Sequence, residues 1–203
     1  PALIDRLQPV PIEVLPPILD ETFRRPDDRS VLREKLRIDG EPLIGMVSTF
    51  QKSRRHDVGL EAFAQFLKQR PRARLVLVGD GPEEEAIKAR TRSLAIDPNI
   101  TFVGYQSSIR FVEVLQSFDQ VWILGLGNDF SGRAAAQARA CGVQVVAVHE
   151  GGLQHFADVV VDVKPESVCM AARSIEVKFV PIESRRSIAE RMLNLYAEAR
   201  EFV

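Results

Sequence analysis

The sequence predicts an α/β fold: a doubly wound, open sheet of about six parallel strands with helices on both faces. Three observations predict it. From residue 43 onward, short apolar runs alternate with amphipathic segments over about two-thirds of the chain. The runs show little polar alternation, as expected of strands buried on both faces of a parallel sheet. The intervening segments carry apolar residues at helical spacing, for example Leu60, Phe63, Ala64 and Leu67, so each strand is followed by a covering helix.

Taken in order, residues 1–26 hold six of the twelve prolines, among them Pro16-Pro17, and one lone β-like run at Ile12 to Leu15. That composition reads as an extended linker. Residues 27–180 form the domain. Its strands are expected at Leu43–Val47, Leu75–Val78, Ile100–Val103, Val121–Leu124, Val145–Val148 and Val159–Val161. Residues 181–203 hold a last helix, about Ser184 to Phe202, with Ile188, Met192, Leu195, Tyr196 and Ala199 on one face. No strand follows it, so its apolar face requires this sheet or an absent surface as partner.

Composition removes several classes of function. Lys plus Arg total 27 against 28 Asp plus Glu, a net charge of -1, which argues against nucleic-acid binding and against a polybasic membrane clamp. Apolar residues make up 45%, yet no run approaches the roughly 18 that a spanning helix needs. Cys141 and Cys169 form no CxxC and have no nearby His pair, so neither a zinc ribbon nor a disulfide framework is indicated and a reduced, cytoplasmic setting fits. The chain opens on Pro1-Ala2 with nothing like a signal peptide and reads as a piece excised from a longer protein.

In such sheets ligands bind outside the carboxyl ends of the strands, so the loops there carry the candidate sites. Gly79-Asp80-Gly81-Pro82 is followed by Glu83-Glu84-Glu85. Proline at the first helical position and acids in the first turn complement the helix dipole and repel a pyrophosphate, so this is a structural turn and not a dinucleotide fingerprint. Gly125-Leu126-Gly127-Asn128-Asp129-Phe130-Ser131-Gly132-Arg133 lies between a buried strand and the Ala-rich helix Ala134 to Ala140. Small residues there expose backbone N–H groups, and Arg133 adds a planar, permanently charged fork suited to phosphate. Lys52-Ser53-Arg54-Arg55-His56 places a positive group after the first strand. The two loops can approach one crevice and hold a diphosphate between them. His56, His149 and His155 lack metal-ligand spacing; His149 precedes Glu150-Gly151-Gly152, a turn open to close backbone approach.

These residues, in this order, resemble the C-terminal, donor-binding domain of the retaining glycosyltransferase family 4, one half of a GT-B enzyme. The resemblance covers roughly residues 43 to 163. Its landmarks are VSTFQKSRRHDVGLEAF from Val47 to Phe63, LVLVGDGPEEE from Leu75, ITFVGY from Ile100 and DFSGRAAAQARACGVQVVAVHEGG from Asp129 to Gly152. The resemblance implies a nucleoside-diphosphate sugar as substrate, with Asp129 near the sugar hydroxyls and Gln137 on the ribose. It places Phe130, Ser131 and Gly132 by the sugar and phosphates, and Thr49 and Arg54 at the diphosphate clamp. Gly104 and Tyr105 would face the nucleobase, and Gly151 and Gly152 would line the cleft. Asp129 and Arg54 are then the catalytic candidates, with Lys52 as a substitute at the clamp, because Thr49 stands where the family has Arg. Gln137 stands where it has Glu, and Gln144 where Pro is common.

The implied function is transfer of a hexose, with retained anomeric configuration, to an acceptor hydroxyl in surface polysaccharide or glycoconjugate synthesis. It needs no metal and no cofactor, because Arg54, Arg133 and helix N-termini can stabilise the leaving diphosphate. The acceptor site belongs, in this family, to an N-terminal domain absent from this chain. The fragment alone is therefore expected to bind donor without transferring sugar, and the full-length protein has the option of peripheral membrane attachment. Two alternatives stand beside it: a nucleotide-sugar epimerase of GT-B type, and a degenerate, non-catalytic nucleotide-binding domain.

Overall fold

The computed structural model describes residues 17–127, 129–175 and 185–201. The described residues divide into two units, one within 21–180 and one made of residues 17–20 and the C-terminal helix. The larger unit holds a six-stranded, all-parallel sheet of β1 (Leu43–Val47), β2 (Arg74–Val78), β3 (Ile100–Gly104), β4 (Gln120–Ile123), β5 (Gln144–Val148) and β6 (Val159–Val161). Each strand falls within one residue of the position its apolar run predicts. The helices are α1 (Arg29–Leu36), α2 (His56–Leu67), α3 (Glu84–Ser93), α4 (Ser108–Gln116), α5 (Asp129–Ala140) and α6 (Pro165–Ala171), with α7 (Arg185–Glu201) in the second unit. Among the described residues, no helix is long and apolar enough to cross a membrane.

The strand order is β3-β2-β1-β4-β5-β6. The chain winds outward from β1 in one direction, returns through α4, and winds outward in the other. The order therefore reverses between β1 and β4, the place where open α/β sheets bind ligands. β1, β4 and β5 match the expectation of two buried faces. β3 and β6 do not: β3 is half-buried to exposed throughout, and Val160 is 46% exposed. An open sheet has two edges, and apolar composition alone does not say which strands take them.

The amino ends of the strands are tied by carboxylates. Leu43 N–H donates to Asp119 Oδ2 at 2.8 Å while Asp119 N–H donates to Leu43 O at 2.9 Å. Val145 and Asp158 repeat the exchange at 2.8 and 2.9 Å. From α1, Arg29 donates to the carbonyls of Gln116, Cys141 and Gly142, and Arg33 to Ser117 O, with Arg33 also paired to Asp119 at 2.8 Å. Cations thus sit on the carbonyl ends of α4 and α5, where the helix dipole favours them.

Gln144, which the resemblance sets where proline is common, has a defined role in the core. It lies opposite Gln120 across the β4–β5 ladder. Gln120 Nε2 donates to Gln144 Oε1 at 2.6 Å and to Ala171 O at 3.2 Å, and Trp122 Nε1 donates to Gln120 Oε1 at 2.6 Å. Gln144 Nε2 completes the chain on Ser174 O at 3.1 Å. All three side chains are buried, and each polar atom of the two amides has a partner, which is the condition for tolerating such a network in a core.

Two readings of the sequence shift. Residues 21–26, assigned there to the linker, pack on α4: Gln116 Nε2 donates to Thr22 O and Arg24 O, and the Phe23 ring meets Phe111 edge-on at 6.3 Å. The lone β-like run Ile12 to Leu15 lies outside the described residues. Pro82 stands two residues ahead of α3, not in its first position. The Gly79–Pro82 turn wraps the backbone of Phe50, whose N–H donates to Asp80 O at 2.6 Å and whose carbonyl accepts from Glu83 N–H at 3.0 Å. A Cβ at Gly79 would stand 2.0 Å from Ser48 O, so the glycine there serves close packing of two loops.

Candidate functional site

The crevice between β1 and β4 is built from three loops. After β1 the chain turns through a single 3-10 turn at Lys52–Arg54 and enters α2. After β4 it runs through Gly125-Leu126-Gly127 toward the N-terminus of α5, the electropositive end of the helix dipole. After β5 it passes Glu150 and turns at Gly151-Gly152.

Arg54 crosses from the first loop to the second. Its Nη1 donates to Leu126 O at 3.2 Å and to Ser131 Oγ at 2.9 Å, while Nε is buried with no partner among the described residues. Ser131, in the first turn of α5, is 7% exposed. Leu126 N–H in turn donates to Ser53 O at 3.1 Å. Beneath these groups a narrow recess of about 10 Å³ lies between the ends of β1 and β4, lined by Met46, Ser48, Arg54, Leu124, Gly125 and Ser131. A guanidinium beside a helix N-terminus is a chemically suitable seat for a phosphate.

The positive run 52–56 does not act as one positive group. Arg55 is neutralised by Glu150, with Nη2 at 2.9 Å from Oε1. His56 is 3% exposed and stacked edge-on against Phe50 at 5.1 Å. Burial pushes its pKa from 6.5 down to about 4, so the ring is neutral at pH 7. Lys52 is exposed and borders a groove between α2 and α3 with Asp57 and Glu83, apart from the recess that Arg54 lines. Charge periodicity shows only that the residues are basic; the structure distributes them over an ion pair, a core and two separate grooves.

The other expected residues fall as follows. Thr49 is exposed on the first loop, and Arg133 is exposed on α5. Gly132 stands 3.5 Å from the Phe156 ring, measured from where its Cβ would be. The side chains of Asp129 and Phe130 lie outside the described residues; their backbone opens α5. Gln137 is half-buried in the third turn of α5. The Ala-rich pattern starts the helix at Ala134, but α5 begins at Asp129 itself, so the eight-residue rise from Asp129 to Gln137 is about 12 Å. Gly104, at φ 69, and Tyr105, 71% exposed, end β3 on the far side of β2. Two strand spacings, about 10 Å, separate them from β1.

Sequence reasoning missed the contacts that join the second and third loops. A Cβ at Gly127 would lie 2.2 Å from Glu150 O, and one at Gly151, at φ 53, would lie 2.3 Å from Gly127 O. The two backbones therefore touch, and glycine is required on both sides. It also missed the Arg55–Glu150 pair and the Ser48–His56 pair, whose Oγ and Nε2 are 3.2 Å apart. Glycines at both loops were the one available signal.

His56 makes stability depend on acidity in a definite direction. The fold disfavours the protonated ring, so the unfolded chain takes up its proton first. This contribution is complete above about pH 6.5 and is lost as the pH drops toward about 4, by on the order of 3 kcal/mol. Urea unfolding of the wild type and of His56→Phe between pH 7 and pH 4 checks this, because the variant loses that part of the acid limb.

The family profile of glycosyl transferases group 1 matches residues 28–176. The D-inositol 3-phosphate glycosyltransferase of Segniliparus rotundus is 32% identical over 150 residues, covering 71% of this chain and 33% of that protein. The N-acetyl-alpha-D-glucosaminyl L-malate synthase of Bacillus anthracis is 30% identical over 136 residues, covering 66% of this chain and 35% of that protein. The chain thus spans about a third of the length of the curated relatives it matches. Among solved structures, Anabaena Alr3699/HepE in complex with UDP and glucose superposes with a TM-score of 0.69 at 17% identity, covering 89% of this chain and 55% of that one. The C-terminal domain of the group 1 glycosyl transferase LpcC from Francisella tularensis superposes at 0.63 and 18% identity, covering 90% and 89%.

Proposed function

The chain belongs to the group 1 glycosyl transferases, of GT-B type, and from that premise we propose that it is the nucleotide-sugar-binding domain of a retaining hexosyltransferase. The donor is a nucleoside-diphosphate sugar, and the intact enzyme moves its sugar to an acceptor hydroxyl, in the cytoplasm, for a surface polysaccharide or glycoconjugate. One observation carries the reading. Arg54 spans the switch point of the sheet and meets the first turn of α5 at Ser131, 2.9 Å away, so a guanidinium and a helix N-terminus converge where an α/β sheet binds phosphates. In this reading the developing charge on the leaving diphosphate is met by Arg54, by Arg133 on the same helix end, and by the backbone N–H groups of α5. Nucleotide occupancy of a structurally similar protein supports it, since the Anabaena neighbour holds UDP.

Calorimetric titration of the chain with UDP, GDP and ADP tests the proposal and selects the base. Measurable binding of one of them is expected, and binding of none sinks the reading. The same titration examines Gln137, which this reading sets on the ribose. A carboxylate accepts from both ribose hydroxyls, whereas an amide offers one acceptor oxygen and an NH2 that needs another partner. Gln137→Glu is therefore expected to tighten the nucleotide by about 1 kcal/mol, with no gain for the 2′,3′-dideoxy analogue. An equal gain for both nucleotides removes Gln137 from the ribose.

A further inference from the structure

Arg55 holds φ 56 and ψ 42, a left-handed conformation that is strained for a residue with a Cβ and free of strain for glycine. The backbone at this turn is better served by glycine, so the side chain must return something for the strain. Its guanidinium gathers the starts of three loops. Nη1 donates to Leu124 O at 3.1 Å, and Nη2 to both carboxylate oxygens of Glu150, at 2.9 and 3.2 Å. Leu124 immediately precedes Gly125-Leu126-Gly127, and Glu150 immediately precedes Gly151-Gly152. These two glycine loops already touch through Gly127 and Gly151, with no room for a Cβ on either. A shift of Glu150 is therefore transmitted directly to the loop that leads into α5.

We propose that the Arg55–Glu150 pair is a positioning device for the donor site. It fixes the Gly151-Gly152 turn against the Gly125–Gly127 loop and so presets the spacing of the crevice before a nucleotide diphosphate enters. Pre-ordering of this kind raises affinity by removing the entropy that binding would otherwise lose. The pair is distinct from Arg54, which points to Leu126 and Ser131. The inference rests on the donor-site reading above.

Arg55→Gly, Glu150→Gln and the double variant, measured beside the wild type, separate this role from a purely structural one. Arg55→Gly relieves the backbone while removing the latch, so its melting temperature is expected to stay within about 2 °C of wild type or to rise. Amide exchange at Glu150 and Leu153, whose N–H groups donate to Val148 O and Glu150 O at the two ends of the turn, is expected to accelerate about tenfold, and the Kd of whichever of UDP, GDP and ADP binds is expected to rise about fivefold. Glu150→Gln, which leaves the Arg55 backbone and its bond to Leu124 in place, is expected to raise that Kd in the same direction. The double variant is expected to be no weaker than the worse single, because both remove one interaction. Unchanged Kd in Glu150→Gln and Arg55→Gly overturns the proposal, whether or not exchange accelerates. If the wild type binds none of the three nucleotides, the donor reading fails and takes the affinity role with it, while the exchange rates still report whether the pair holds the turn.

Discussion

Arg54→Ala weakens binding of the cognate nucleoside diphosphate by about tenfold to a hundredfold, the loss of a charge-assisted bond of about 1.5–3 kcal/mol. The bare nucleoside loses little, because the guanidinium addresses phosphate and not base or ribose. The structure sharpens this expectation in two ways. Arg54 is held by Leu126 O and Ser131 Oγ before any ligand arrives, so little ordering is left to the binding step. Arg54→Lys keeps the charge but loses the planar fork that can hold those two acceptors and face a phosphate at once, and it is expected to recover only part of the affinity. Arg133→Ala, on the exposed side of the same helix end, is expected to act in the same direction with a smaller loss, because solvent screens an exposed charge. Calorimetry on the chain with nucleoside and nucleoside diphosphate in parallel is the measurement. Equal losses for the two ligands would falsify the phosphate role of Arg54.

Gln120→Leu has the largest expected effect on stability, about 4 kcal/mol. The substitution removes the acceptor of Trp122 Nε1 and the donor to Gln144 Oε1 and Ala171 O at once. A buried polar group left without a partner costs about 1–3 kcal/mol, and the two amides and the indole lie between β4 and β5 where water does not reach. Restoring consistency recovers stability without restoring the original residue. In the triple variant Gln120→Leu, Trp122→Phe, Gln144→Leu, no side chain of the network carries an orphaned polar atom, and most of the loss is expected to return. Urea unfolding of the single and triple variants decides it. A triple variant as unstable as Gln120→Leu alone shows that packing volume, and not the amide network, sets the cost.

The predicted strands were legible in the sequence because each is a short apolar run bounded by turn residues, and burial in a parallel sheet imposes that composition wherever the strand sits. Arg54 was legible for a related reason: it follows a strand by a few residues, and such loops line the ligand edge. The same reasoning overcounted charge. Arg55 and His56 share the run with Arg54, yet Arg55 is paired to a carboxylate and His56 is enclosed against Phe50. Nothing local distinguishes the three, because the difference lies in what each meets after folding.

The sequence by itself determined the α/β class, the strand positions to within one residue, and the segments that reach the carboxyl edge of the sheet. These follow from local patterns of burial and turn chemistry. Only the tertiary structure decided which strands are edges, which basic residues keep an available charge, that Gln144 belongs to a buried amide chain, and that Arg55 and Glu150, 95 residues apart, close one latch. The physical reason is the strand order. Placing β4 beside β1 brings loops from distant parts of the chain into one crevice, and the partners that meet there are set by spatial neighbourhood, which no spacing along the chain encodes.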